Sequence, residues 1–112
     1  MQRDLQFLLD ILQSAELVIN YTAQCSKDEF MTNVQLQDAV IRRLLVIAEA
    51  ARRVSETTRQ TLTMIAWQEI NGMRNRLVHE YDDVDLNIVR NAVQHKIPPL
   101  VEELKSKVPP ES

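Results

Sequence analysis

Side chains that could bind and cleave a phosphodiester are concentrated between residues 74 and 81 of this 112-residue chain. Arg74 could hold a phosphate through two parallel N–H bonds and stabilise charge in the transition state. His79 could accept or donate a proton near neutral pH. Asn75 could add a polar contact and Arg76 a second phosphate contact, and Tyr81 lies two residues after His79. This set suits metal-independent RNA cleavage, in which a ribose 2′-OH attacks the phosphate and a 2′,3′-cyclic product forms.

The spacing of Arg74 and His79 predicts that one chain alone does not complete such a site. On an ideal α-helix, residues five positions apart point about 140° away from each other. If two copies of the helix end meet across a two-fold axis, Arg74 of one chain can face His79 of the other. We therefore predict a homodimer with a composite site of two imidazoles and two guanidiniums.

Each of these side chains also has an ordinary structural interpretation, because an arginine followed five residues later by a histidine occurs by chance in many helices. Arg74 and Arg76 could be solvated surface residues. His79 could be a charge near the helix C-terminus that interacts with the helix dipole. Tyr81 could pack with its hydroxyl at the surface, and a dipole or surface role is the favoured interpretation of His95.

Other charged residues lie on the long segment that precedes this motif. We interpret Glu49 first as a surface ion pair with Arg53 at i, i+4, and the alternative is that it orients Arg74. The pairs Arg42-Arg43 and Arg52-Arg53 are interpreted as solvated faces, with RNA contact as the alternative.

The composition indicates a small helical domain and limits the classes of partner that the protein can bind. One glycine in 112 residues can hardly supply the positive φ values that hairpins and phosphate loops need. The lone Cys25 excludes an internal disulfide and a cysteine-based zinc cluster, which fits a reducing cytosol. No run of residues approaches the length of a membrane span, and the amino end lacks a signal-peptide pattern, so we expect a cytoplasmic protein. No cofactor is expected. The net charge of −3 opposes a polyanionic partner, but residues 33–81 hold seven arginines against five acidic residues, which permits one.

Apolar residues recur at three- and four-residue steps in four segments, which predicts an all-α, up-down four-helix bundle in a single domain over residues 1–112. The helices are expected at about 3–25, 33–55, 67–79 and 86–104, and the second should be central. A capping box at Ser26 predicts a short helical turn, Asp85 should cap the fourth helix, and residues 57–63 should form a connection or a short helix. Pro98-Pro99 predicts a kink in the last helix, and residues from about 105 to 112 should fray.

Several stretches of the chain resemble the HEPN superfamily, and more closely the HepT-like toxins of HepT/MntA toxin–antitoxin modules. The specific element is Arg-x4-His-x-Tyr at Arg74, His79 and Tyr81. The similarity covers nearly the whole chain. It includes residues 47–56, 67–73, 74–81 and 84–86, and Pro98-Pro99-Leu100 near the end.

This resemblance implies a dimeric four-helix ribonuclease toxin with its cleft between the subunits. Arg74 and His79 match the catalytic pair, and Asn75 matches the polar residue after the arginine. Tyr81 matches the tyrosine to which an MntA-like nucleotidyltransferase antitoxin adds AMP. The adenylyl group would add bulk and negative charge beside the site and so repel an RNA phosphate. A non-catalytic helical module that supports a partner nucleotidyltransferase is the alternative, which the acidic net charge favours.

Overall fold

The structure is a computed structural model that describes residues 2–79 and 85–108, except for the side chains of Gln2 and His79. Over these ranges it is all-α, as predicted. None of the helices described is long and apolar enough to span a bilayer. The helices are α1 (Gln2–Thr22), α2 (Lys27–Thr32), α3 (Val34–Arg53), α4 (Glu56–Thr61), α5 (Trp67–His79), α6 (Leu86–Asn91) and α7 (Ile97–Lys107), with a π-helical turn (Ala92–Lys96) joining the last two.

Short polar side chains start several of these helices, as the sequence predicts. Ser26 and Glu29 form a reciprocal capping box at the start of α2. The Asn33 side chain accepts the Leu36 N–H at the start of α3. The Asp85 carboxylate accepts a backbone N–H in the first turn of α6, which confirms its expected capping role. Each cap satisfies a backbone donor that has no partner inside its own helix.

Helix α3 lies at the centre of the bundle and packs against α1 and α5, while α1 also packs against α7. Its apolar residues therefore occupy more than one face, which confirms the central position predicted for it. Burial of these faces removes apolar surface from water and supplies the main driving force for folding. The fully buried side chains of the core include Ile11, Val18, Val40, Leu44, Ile47 and Leu104.

The last long helix is irregular just before its two prolines. The backbone N–H of Ile97 donates to the Ala92 carbonyl, five residues back, in place of the usual four. Pro98 and Pro99 have no N–H, and a proline ring clashes with the carbonyl four residues before it. A π-helical turn inserted ahead of the prolines accommodates both effects. The irregularity thus begins at Ala92, one to two turns earlier than the predicted kink at Pro98.

Helix α7 also extends beyond the point at which fraying was expected. It ends at Lys107, and the Val108 N–H still bonds to the Leu104 carbonyl. Leu104 and Val108 are both buried in the core, so apolar packing holds the end of the helix in place. Residues 109–112 lie outside the described part of the chain.

The carboxylate of Asp4 ties the start of α1 to the junction between α3 and α4. It accepts bonds from the Ser55 hydroxyl at 2.6 Å, the Thr58 hydroxyl at 2.5 Å and the Ser55 N–H at 3.0 Å. The hydrogen bond from the Ser55 side chain and those from Thr58 and the Ser55 backbone lower the pKa of Asp4 from 3.8 to about 2. The folded state therefore favours the ionised form of this carboxyl.

We expect Asp4→Asn to lower the melting temperature at neutral pH, because an amide offers one acceptor oxygen in place of two. The wild-type pKa is lower in the folded state, so its stabilising contribution is full above pH 3.8 and is lost as pH falls toward about 2. Melting temperatures recorded by circular dichroism from pH 7 to pH 2 should show this loss in the wild type and not in the variant. Asp10→Asn is the control, since its carboxylate bonds Gln6 in the same helix. Equal pH profiles for wild type and Asp4→Asn would contradict the assignment.

Candidate active site

Arg74 is held in a defined orientation on α5 by two side-chain hydrogen bonds. Its Nε donates to Glu49 Oε1 on α3 at 2.8 Å, and its Nη1 donates to Asn75 Oδ1 at 3.2 Å. Only 24% of the Arg74 side chain is exposed. Since a guanidinium has five N–H donors in a fixed plane, these bonds orient the group and leave other Nη hydrogens for a ligand. The structure thus brings the side chains of Arg74 and Asn75 together.

Glu49 lies between two arginines from different parts of the fold. The same Oε1 atom that binds Arg74 is 3.7 Å from Nη1 of Arg52. The hydrogen bond from Arg74 lowers the pKa of Glu49 below its ordinary value of 4.5, and the charges of Arg74, Arg52 and Arg53 act in the same direction. At neutral pH the carboxylate is therefore ionised.

The preferred interpretation of Glu49 as the ion-pair partner of Arg53 is wrong. Within the described residues, its ion pairs are with Arg74 and Arg52. The packing of α5 on α3 places Arg74 within direct reach of Glu49. The half-buried guanidinium loses less side-chain freedom on pairing than an exposed neighbour would. The alternative, that Glu49 orients Arg74, is the one that the structure supports.

Arg76 lies on a different face of α5 from Arg74. Two residues along an α-helix differ by about 200°, so the two side chains point in nearly opposite directions. Arg76 lines an apolar groove of about 570 Å³ between α5 and the α6–α7 segment, whose walls include Met73 and Ile88. The structure therefore does not bring Arg76 to Arg74.

His79 is the last residue of α5, and its side chain lies outside the described part of the structure, as does Tyr81. The roles assigned to both residues remain predictions. The backbone of α5 does place His79 five residues after Arg74, so the expected divergence of about 140° holds for a regular helix. Val78 is on the same face as Arg74 at i, i+4, and 44% of its surface is exposed.

Metal-ligating side chains do not cluster in the described ranges. Within residues 2–79 and 85–108, no three His, Cys, Asp or Glu side chains come close enough together to bind one metal ion. The carboxylates of Glu80, Asp82 and Asp83 lie outside those ranges.

A cleft of about 320 Å³ lies between α3, α4 and α5, and one of its lining residues, Arg52, contacts Glu49. We name it the Arg59 cleft, and its lining residues are Ala48, Ala51, Arg52, Arg59, Trp67, Gln68 and Asn71. This cleft was not predicted from the sequence. Its only sequence signal is the polar series Gln68, Asn71 and Asn75, which repeats at three and four residues along α5.

The family of the chain follows from its similarity to known proteins. A family model described as ribonuclease HepT-like matches residues 11–106, nearly the whole chain. This chain belongs to the ribonuclease HepT-like family. The resemblance to HepT-like proteins of the HEPN superfamily is thereby confirmed.

Individual relatives agree with this HepT-like assignment. A Methanocaldococcus jannaschii protein named "Putative RNase" is 35% identical over 105 residues, which cover 93% of this chain and 96% of that protein. A Thermococcus cleftensis protein named "Probable ribonuclease HepT" is 32% identical over 94 residues, covering 84% of this chain and 86% of that one. A longer M. jannaschii protein, "Gamma-glutamylcyclotransferase and putative RNase", is 39% identical over 105 residues, 93% of this chain and 47% of its own length. No solved structure matches this HepT-like chain.

Proposed function

We propose that this HepT-like protein is a metal-independent endoribonuclease toxin that acts as a homodimer. The observation that carries the proposal is the orientation of Arg74 by Glu49 and Asn75, which leaves Nη hydrogens available within the family's Arg-x4-His-x-Tyr element. An arginine fixed in this way can bind a phosphate without a large ordering cost.

The proposed reaction is an internal transesterification of RNA. The neutral imidazole of His79 from one subunit takes the proton of a ribose 2′-OH, and the 2′-oxygen forms a bond to the adjacent phosphorus. The bond from phosphorus to the 5′-oxygen breaks, and the protonated imidazole of the other subunit gives that oxygen a proton. Arg74 binds a non-bridging oxygen and stabilises the extra charge of the pentacoordinate transition state. The products are a 2′,3′-cyclic phosphate and a 5′-hydroxyl.

The helix geometry supports a site shared between two subunits. Positions five residues apart on a regular helix such as α5 diverge by about 140°, which supports a site completed by a second copy of the chain. Exposed Val78 lies one turn from Arg74 and provides apolar surface for a contact between copies of α5. An isologous contact there would repeat both functional groups on each side of the two-fold axis.

Purified protein should therefore cleave RNA in the presence of EDTA and yield cyclic phosphate ends. Arg74→Ala should lower kcat by about 10²- to 10³-fold, because an aligned electrostatic contact to the transition state is lost. Arg76→Ala is the comparison, because it removes the same charge from a different face of α5. If Arg76 is a second phosphate contact, this variant should lose activity as Arg74→Ala does. Loss of wild-type cleavage on chelation would refute the metal-independent mechanism.

We expect Glu49→Ala to lower RNA cleavage by on the order of tenfold or more, because a displaced catalytic group loses its alignment with the phosphate. Glu49→Gln keeps an oxygen that can accept the Arg74 Nε hydrogen and should retain more activity than the alanine variant. Single-turnover rates at neutral pH measure the difference. Glu69→Ala is the control for the loss of a carboxylate, since the ion pair of Glu69 is with Lys96, at 2.8 Å, and not with Arg74. Equal rates for Glu49→Ala and Glu69→Ala would contradict the orienting role.

The proposed control of the toxin is AMP transfer to Tyr81 by an MntA-like nucleotidyltransferase antitoxin. Its position two residues after His79 would put the added phosphodiester charge close to the site. After co-expression with that partner, mass spectrometry should find AMP on the peptide that contains Tyr81. An unmodified peptide from a detoxified pair would refute this form of control.

Expression of this chain alone in a bacterial host tests the toxin assignment. Growth should stop, and Arg74→Ala should restore it. Normal growth with the wild-type chain, together with absence of cleavage in vitro, would instead support a non-catalytic module that assists a nucleotidyltransferase.

A further inference from the structure

We propose that the Arg59 cleft binds one nucleotide of the RNA strand, next to the nucleotide that carries the scissile phosphate. The phosphate of the bound nucleotide contacts Arg52 and Arg59, and its base lies against Trp67. This inference rests on the proposed ribonuclease function and assigns a second subsite to it. The volume of about 320 Å³ lies at the lower end of the range of small-ligand pockets.

The charge of the cleft suits an anion. Arg52 and Arg59 supply two guanidiniums, and no carboxylate is among the described residues that line it. The nearest acid contact is that of Glu49 with Arg52 at 3.7 Å, a long ion pair on a half-exposed side chain. Two guanidiniums facing one space recognise phosphate oxygens well, because their donors match the geometry of the group.

Arg59 is partly buried in the wall of the cleft. Its Nε atom is enclosed by the protein and has no hydrogen-bond partner within residues 2–79 and 85–108. Because this atom is out of reach of solvent, a ligand in the cleft would contact the terminal Nη donors of Arg59 and not Nε. The Nη groups of a guanidinium match the oxygens of a phosphate.

Trp67 offers a fixed aromatic surface beside the two arginines. Its Nε1 donates to the Leu62 carbonyl at 3.1 Å, which orients the indole and commits its polar atom. Part of the ring packs against the hydrophobic core, and the part that lines the cleft can contact a ligand through stacking, the usual way in which proteins hold an unpaired RNA base. Exposed amides at Gln68 and Asn71 line the same space and could bond to the edge of the base.

The cleft and the proposed catalytic centre are linked through Glu49. Arg52, which lines the cleft, and Arg74, which does not, contact the same Oε1 atom of Glu49. Asn71 precedes Arg74 and Asn75 by three and four residues, so it is on the adjoining part of the same face of α5. An RNA strand with one phosphate at Arg74 can thus place a neighbouring nucleotide in the cleft.

The test measures binding of a 2′-O-methyl oligoribonucleotide, which cannot be cleaved because its 2′-oxygen carries no proton. Arg52→Ala and Arg59→Ala should each raise the Kd several-fold and make the slope of log K against log salt less negative, by up to about 0.7, the value for one phosphate contact on a single strand. Arg53→Ala is the matched control, because it removes the same charge from the residue next to Arg52 and does not line the cleft. Arg59→Gln removes the charge but keeps a longer side chain than alanine does. Thermal melts of each variant show whether a weaker affinity reflects a lost contact or a lost fold.

Trp67 is the only tryptophan in the chain, so its fluorescence reports directly on the cleft. Binding of the oligonucleotide should quench the emission, and at a fixed oligonucleotide concentration Arg59→Ala should weaken the quenching. Equal Kd values and salt slopes for Arg52→Ala, Arg59→Ala and Arg53→Ala would overturn the phosphate site. Binding without a change in emission would overturn the stacking of the base. If the wild type cleaves no RNA, the proposed function fails; if it cleaves and the variants match the control, only the subsite fails.

Discussion

Replacing His79 with alanine is expected to lower kcat/KM for RNA cleavage by about 10²- to 10⁴-fold, the range typical of a positioned general acid or base. In a homodimer the substitution removes both imidazoles at once, so the 2′-OH loses its base and the leaving 5′-oxygen loses its acid. RNA binding should change much less, since the guanidinium of Arg74 remains. Initial rates and the Kd of a 2′-O-methyl oligonucleotide, measured on the same preparation, separate the two effects.

His95→Ala is the matched control for this experiment, because it removes the only other histidine of the chain. His95 lies in the π-helical turn and lines the apolar groove on the far side of α5, where Arg76 also lies. Its replacement should leave the cleavage rate within about twofold, as expected of a surface substitution with a small free-energy effect. A His79→Ala variant that melts like the wild type and still cleaves RNA at the wild-type rate would refute the catalytic assignment.

The sequence was sufficient to predict the helices because their signals are local. Apolar residues at three- and four-residue steps marked α1, α3 and α5, and the side chains of Ser26 and Asp85 marked helix starts that the structure confirms. The extent of α7 was not accessible in this way, because it depends on the burial of Val108 against other helices. The π-helical turn likewise reflects how the chain as a whole accommodates Pro98 and Pro99.

The surroundings of the candidate site required the structure, because they involve contacts between helices. The partner of Glu49 is Arg74, 25 positions away, and no spacing rule distinguishes it from Arg53 at i, i+4. The Arg59 cleft joins side chains of α3, α4 and α5, so no single segment of sequence displays it. Sequence alone could propose Arg74 as a candidate, through the Arg-x4-His-x-Tyr element. It offered Glu49 as the residue that orients this guanidinium only as an alternative to the ion pair with Arg53, and the contact between α3 and α5 decides between the two.

A mixed dimer of one wild-type subunit and one His79→Ala subunit should lose nearly all cleavage activity. In the proposed site the base and the acid are imidazoles of different subunits, so a single substitution disables the only pair. The expected loss is about 10²-fold or more relative to wild type, similar to that of the doubly substituted dimer. Subunits with two different affinity tags, co-expressed and purified in sequence on both tags, give the mixed species for rate measurement.

The alternative geometry predicts a clearly different number. If each subunit held a complete site of its own, the mixed dimer would keep one of two sites and about half of the wild-type rate. A dimer of wild type and His95→Ala, prepared with the same tags, shows whether the purification itself lowers activity. Sedimentation of the wild-type protein at assay concentration provides an independent check, since an active monomer would contradict the shared site. A rate near half would leave Arg74 and His79 as functional residues and would require one chain to bring both to the same phosphate. The divergence of the two positions along a regular α5 makes that arrangement difficult.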